Sequence, residues 1–301
     1  MKDLRIGNSV LQAKDYECSE DGLYLPKPSV SLWLYVNISN ACNASCPFCV
    51  NPAKRSYQSI DVSSLDAVMA RIEPFISGVS ITGGEPMMNV GLLSETVAVI
   101  DDRLDESKQL DLVTNGINIE QLPNVHGLER FTTIHVSRHA TNDDVNRTLM
   151  GWPTAPPVSK LANAINSLPD PDGVVLNCVL QQGGVCDHAS VTEYLEMAAG
   201  IGVKNVSFIG MIRANSYCIQ NSVSLSALEL EKDERFSIWN HFHDHEYCQC
   251  MAGDYRAEKG FIRFYHRASG SKSPSPYCRQ LVYGSDDTLR QGFGDAPMVV
   301  L

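Results

Sequence analysis

The chain contains no uninterrupted apolar run of about 18 residues, so its sequence offers no helix to span a membrane. The opening MKDLRIGNSVLQAKD lacks the apolar stretch of a secretory signal. Basic residues are in short supply: 24 Lys and Arg face 35 Asp and Glu, a net charge of -11. A surface this acidic repels phosphate backbones at long range and argues against a nucleic-acid partner. There is no low-complexity tract and no internal repeat beyond an alternation of strands and helices. These absences lead to the expectation of a cytoplasmic enzyme. The rest is ordinary globular composition: 301 residues, 44% hydrophobic and 20% charged, enough for one large α/β domain or a domain with an appendage.

Cysteine, by contrast, is plentiful, with ten residues, and a reducing cytosol disfavours disulfides. Cys178, within GVVLNCVL, reads as a small apolar residue of a buried strand. Cys18, Cys186 and Cys218 stand alone. Cys42, Cys46 and Cys49 do not, because ISNACNASCPFCVNP gathers them as C-x-x-x-C-x-x-C. A disulfide would leave one thiol over. A closed zinc site needs four donors, and no neighbouring His or Cys completes one. A four-iron cubane accepts three thiolates and leaves one iron with a vacant position, where a substrate or cofactor can bind. The small residues Asn43, Ala44 and Ser45 separate the first two thiols, and Pro47 and Phe48 stiffen and cover the second gap.

The loop sits in a regular context. SVSLWLYVNIS before it reads as a strand and DVSSLDAVMARIEPF after it as a helix, capped by Asp61 or Ser63 and ended near Pro74. GVSITGGEP, KQLDLVTNG, FTTIHVSRH, GVVLNCVL and KNVSFIGMI read as further strands. VGLLSETVAVIDDRL, SKLANAINSL and VTEYLEMAAGIG read as helices between them. Strand–helix alternation over residues 31–212 predicts parallel strands in a full or partial barrel, with chemistry at the strand C-termini. The cysteine loop, GGEP, TNG and SRH all follow strands and would share that rim.

C-x-x-x-C-x-F-C after the first strand and GGEP after the second resemble the radical S-adenosylmethionine (SAM) superfamily over residues 31–212. The resemblance implies an α/β fold, a partial (β/α)6 TIM-like barrel, with a [4Fe–4S] cluster on Cys42, Cys46 and Cys49. It implies SAM chelated to the fourth iron and cleaved reductively to a 5′-deoxyadenosyl radical, which abstracts hydrogen from a substrate. By the same resemblance Gly83 and Gly84 let the backbone approach the methionine amino group, with Glu85 accepting from that group or setting the turn. Ser137 binds the ribose, Arg138 meets the carboxylate, Asn177 is a second ribose candidate and Phe48 lies at the adenine edge. Thr114 and Asn115 face the pocket or form a turn. No catalytic side chain is assigned.

Residues 1–30 read as an N-terminal extension and 213–301 as a small C-terminal α+β unit. SVSLSALELEKDERFSIWNHF reads as helical and YCRQLVYGSDDTLRQGFG as a hairpin turning at GSDD. The tail resembles the twitch or SPASM-type extensions that hold an auxiliary iron–sulfur cluster. On that resemblance Cys248, Cys250 and Cys278 are its ligands, with Cys218 as a fourth. Zinc is the rival metal, since His241, His243 and His245 lie nearby in sequence. The expected substrate is a peptide or a small polar metabolite, and the expected electron donor is a flavodoxin or ferredoxin. The alternatives are a small-molecule dehydrogenase or cyclase of the same superfamily, and a non-catalytic SAM-binding iron–sulfur regulator.

Overall fold

Six strands succeed one another along the chain and neighbour one another in the same order: Leu32–Asn37, Ile76–Thr82, Gln109–Thr114, Thr133–Ser137, Val174–Leu180 and Asn205–Gly210. All five pairings between them are parallel. The computed structural model describes residues 2–6, 9–13, 16–18, 24–26, 32–49, 57–211, 215–233, 237–241, 244–245, 248–249, 252–257, 260–265 and 280–292.

Side-chain alternation along each strand separates two environments. Leu34 and Val36 lie in register with Val79 and Ile81, and all four are buried in one core with Leu110, Leu112, Val136 and Leu176. The opposite face carries polar rows among apolar residues such as Val113 and Val175: Ser80, Asp111 and Thr133 form one row across three strands, and Ser137, Asn177 and Ser207 another. Helices cover the apolar face. In α1 (Val62–Ile72), Leu65, Val68, Met69 and Ile72 are buried, a spacing that makes one stripe, and Asp61 caps the helix by accepting from Ser63 N–H. In α2 (Val90–Arg103), the stripe is Leu93, Val97 and Ile100, and Asn89 is the cap. Next come α3 (Asp143–Leu149), α4 (Val158–Asn166) and α5 (His188–Gly200), the last with a capping box of Asp187 and Ser190. The third connection carries 3-10 turns, Ile119–Asn124 and Leu128–Arg130, with Pro123 inside the first. The strand and helix readings of residues 31–212 agree with this structure, and α3 is an addition to them. Among the described residues, no helix is long and apolar enough to cross a membrane.

The tail is woven into the same sheet. Gly260–Tyr265 pairs parallel with the sixth strand, and Gln280–Tyr283 pairs parallel with the first, giving eight parallel neighbours. Ala252–Ala257 and Ser237–His241 extend one edge antiparallel, and Leu289–Arg290 the other. Strand pairing therefore crosses the expected boundary at 212/213. The hairpin around GSDD is present, between Gln280–Tyr283 and Leu289–Arg290. The helical reading of residues 222–242 is corrected: the chain makes short 3-10 turns at Leu225–Leu228 and Leu230–Lys232, then the strand Ser237–His241. Glu229 interrupts with a left-handed φ of 51°, and Leu228 and Leu230 are both buried, a two-residue spacing that no continuous helix puts on one face. At the other end, Lys2–Ile6 pairs with Ser9–Ala13 and Tyr16–Cys18 with Tyr24–Pro26, two antiparallel hairpins.

Leu281 tests the joining of tail and barrel, because it is fully buried in register with Leu34. Leu281→Ala is expected to lower the stability of the whole barrel by about 2–5 kcal/mol in urea unfolding, in one transition. A barrel transition unmoved by the substitution would mean that the tail folds apart from it.

Candidate functional site at the strand C-termini

The three clustered thiols lie in the loop that leaves the first strand, and that loop is zipped to the turn after the second. Ile38 N–H bonds Thr82 O at 3.0 Å, Gly84 N–H bonds Ser39 O at 2.6 Å and Glu85 N–H bonds Ala41 O at 2.7 Å. This closeness requires the glycines. Gly83 has φ +150°, and a Cβ there would stand 2.6 Å from Ser39 O; a Cβ on Gly84 would overlap the Ala41 carbonyl. Their close partner within the chain is the cysteine loop itself.

Glu85 fastens the arrangement from beneath. It is 2% exposed. One carboxylate oxygen accepts from Met87 N–H at 2.9 Å and Thr114 Oγ1 at 2.6 Å, and the other from Asn115 N–H at 2.6 Å. Burial pushes its carboxyl up to about 7, against the pull of those three donors. Of the two roles expected for Glu85, setting the turn is the one these contacts make. Thr114 and Asn115 are drawn to the rim through it. Asn115 continues to the loop: its Nδ2 is 2.8 Å from Asn43 Oδ1 and 3.7 Å from Cys42 Sγ.

The segment after α3 holds the loop from the other side. Ser45 N–H bonds Met150 O at 3.0 Å, and Cys46 Sγ lies 3.5 Å from the same oxygen. Gly151 is left-handed at φ +55°, and a Cβ there would come within 2.6 Å of Ser45 O. Met150, Trp152, Ala155 and Ala44 form a satellite apolar cluster, against which Cys42 and Cys46 pack. Sequence reasoning missed this contact; its one local signal is the Met-Gly-Trp run after a helix.

Burial and mutual repulsion oppose ionisation of these thiols. Burial raises Cys42, although bonds from Ala44 N–H and Asn115 lower it; burial, then Cys49 and Cys42, push Cys46 up to about 12. A cationic metal group removes that penalty by deprotonating its ligands outright. Among the described residues, no three His, Cys, Asp or Glu side chains converge on a single-ion site. Three thiols of one loop, with N–H donors already at one sulfur, suit an iron–sulfur cube, which takes each thiolate at a separate iron.

Below the rim, a polar string crosses the barrel interior. Thr133 Oγ1 donates to Asp111 Oδ1 at 2.7 Å and lies 3.0 Å from His135 Nε2, while His135 Nδ1 lies 3.2 Å from Asn177 Oδ1. Ser137 stands in register with Asn177, so both ribose candidates share this face. Arg138 does not. One residue further along the strand, it faces the helix layer, fully buried, with Nη2 2.7 Å from Asp143 Oδ1 and 2.8 Å from Thr141 O. Its charge acts on Cys178 and Tyr194 in that layer. Its Nε and Nη1 are buried without a hydrogen-bond partner among the described residues. His139, also unforeseen, is fully buried and neutral. Burial, then the Arg138 charge, take it down to about 3, its Nδ1 accepts from Val179 N–H at 3.1 Å, and Phe48 packs edge-on against its ring at 4.9 Å.

The candidate residues of the tail divide. Cys218 is fully buried on the short helix α6 (Ser216–Asn221), which docks on the rim through Asn215 Nδ2 to Pro47 O at 2.9 Å and Tyr217 OH to Gln181 Oε1 at 2.9 Å. Cys248 is described by its backbone, paired opposite His245. Cys250, Cys278 and His243 lie outside the described residues.

A family model described as the radical SAM superfamily matches residues 36–183. A stretch of 115 residues is 31% identical to the PqqA peptide cyclase of Gluconobacter oxydans (strain 621H), covering 37% of this chain and 30% of that protein. Streptococcus suis SuiB bound to S-adenosylmethionine superposes with a TM-score of 0.61 at 13% identity, over 90% of this chain and 63% of that one. A radical SAM methyltransferase from Sphaerobacter thermophilus gives a TM-score of 0.51 at 18% identity, over 71% of this chain and 67% of that one. At such identities the two structural likenesses speak to the fold. The chain spans less than two thirds of SuiB and matches under a third of the cyclase.

If the segment after α3 holds the cysteine loop in place, crowding it should expose the thiols. Gly151→Ala is expected to speed alkylation of Cys46 by iodoacetamide at least about threefold, read by mass spectrometry on reduced, metal-free protein. An unchanged rate would show that the loop does not depend on that contact.

Proposed function

Residues 36–183 belong to the radical SAM superfamily, and from that premise we propose that the chain is an enzyme that uses a [4Fe–4S] cluster and SAM to modify a peptide. One observation carries the reading: three thiols in a single loop, locked by backbone bonds to the GGEP turn, at the C-terminal rim of a parallel barrel sheet. When bound, the cluster and SAM supply a one-electron cleavage of the sulfonium to methionine and a 5′-deoxyadenosyl radical, which takes hydrogen from the substrate.

The chain's own residues hold and shield. Cys42, Cys46 and Cys49 ligate three irons. Glu85 keeps the GGEP backbone and the third strand at a fixed distance from that loop. Ser137 and Asn177 present polar side chains to the ribose from adjacent strands. His135 Nδ1 lies beside the Asn177 amide, and Thr133 and Asp111 anchor His135 in turn. Phe48, braced by His139, gives the adenine an apolar edge and keeps water from the loop. Arg138 acts at one remove, tying the rim to the start of α3 through Asp143.

The peptide rests on the likeness to the PqqA peptide cyclase, which covers part of both chains. The reducing electron comes from a small protein such as a flavodoxin or ferredoxin. A second iron–sulfur cluster on Cys248, Cys250 and Cys278, with Cys218 as a fourth donor, belongs to this reading. It is supported by the antiparallel backbone pairing that sets Cys248 opposite His245 and by the burial of Cys218.

Two outcomes are expected. Anaerobically reconstituted, reduced protein converts SAM to 5′-deoxyadenosine and methionine, and Cys42→Ala, Cys46→Ala or Cys49→Ala each abolishes the conversion. Wild-type turnover in any one of the three would sink the assignment. For the tail, iron analysis should give about eight irons per chain, falling to about four in Cys248→Ala/Cys250→Ala, as two cubanes require; about four in the wild type would remove the second cluster.

A further inference from the structure

We propose that Asn115 sets the reduction potential of the cluster on this loop, by donating a side-chain hydrogen bond to the Cys42 thiolate. The inference rests on the cluster reading above and goes beyond it in giving the three ligands unequal roles. Asn115 stands on the third strand's exit, 73 residues from Cys42 in sequence. Its Nδ2 is 2.8 Å from Asn43 Oδ1 and 3.7 Å from Cys42 Sγ, a reach that sulfur's larger radius allows.

The amide has one consistent orientation. Its Oδ1 accepts from Ile117 N–H at 3.0 Å. Turned over, the amide would set its NH2 against that N–H and its oxygen against Asn43 Oδ1 and the Cys42 sulfur. Its backbone is equally fixed, since Asn115 N–H donates to Glu85 Oε2 at 2.6 Å. The residue is thus held at both ends with a donor facing the loop. Ala44 N–H adds a second donor to Cys42 Sγ at 3.4 Å. Cys46 differs, because the side-chain contact described for its sulfur is to the Met150 carbonyl at 3.5 Å, an acceptor, and the N–H that favours its thiolate is its own backbone's rather than one from another strand.

Reduction adds one electron, supplied by the external reductant, and raises the negative charge on the cluster's sulfurs. An N–H aimed at a ligand sulfur stabilises the reduced state more than the oxidised one, so it raises the potential. Removing it makes the cluster harder to reduce.

Two variants separate this role from a structural one. Asn115→Asp keeps the Oδ1 that accepts from Ile117 N–H but replaces the donor by an anionic oxygen. Asn115→Leu removes donor and acceptor at similar volume. The readout is the midpoint potential, by EPR-monitored redox titration of reconstituted protein, of the signal that SAM perturbs. The expected result is a more negative midpoint in both variants, with Asn115→Asp shifted further, at wild-type iron content for Asn115→Asp. Wild-type midpoints with intact clusters would overturn the proposal. So would failure of both variants to retain iron, which would make Asn115 a brace for the loop. A wild-type chain that assembles no iron–sulfur cluster would contradict the cluster reading itself, a result distinct from either.

Discussion

A buried carboxylate with three donors holds the rim together. Glu85 lies where the cysteine loop, its own turn and the third strand meet, and it bonds to two of them while its backbone bonds to the third. Removing a carboxylate from water is costly, and the cost is met only when its oxygens are fully engaged. Here they accept from two backbone N–H groups and a hydroxyl. Loss of the turn or of the third strand would leave the charge short of a donor, while the cysteine loop is held to the same residue through its backbone N–H. The glycines next to it follow from the same constraint, since the loop can approach the turn only where no Cβ intervenes.

Much of this was legible in the sequence. The strands before the cysteine loop and before GGEP announce themselves by β-branched residues and by the glycines that end the second. Three thiols within one loop admit few chemistries, and the expectation of a cluster on them rests on their spacing together with the family resemblance. Leu65, Val68, Met69 and Ile72 repeat at helical spacing, so α1 could be read from its stripe. The sequence places Arg138 next to Ser137 without giving it the same face, because adjacent strand residues point to opposite sides.

Other features were out of reach because they join distant residues. Met150 meets Cys46 across 104 positions, and nothing near either residue encodes the other. The tail's strands pair with both edges of the barrel sheet, a choice made by tertiary contacts that local pattern does not record. Glu229 shows the opposite case. The segment around it has helical composition, yet burying both Leu228 and Leu230 required a break in the helix. The polar string from Asp111 to Asn177 likewise emerges only once three strands stand side by side.

The central claim is that the loop of Cys42, Cys46 and Cys49 carries a cubane with one iron open to SAM. Low-temperature EPR of the anaerobically reconstituted, dithionite-reduced chain, recorded with and without SAM, tests it most directly. The account predicts a [4Fe–4S]+ signal whose g-values change when SAM is added, because the cofactor binds the iron that lacks a cysteine. A reduced cluster whose signal is indifferent to SAM, or a chain that binds zinc in place of iron, would contradict it.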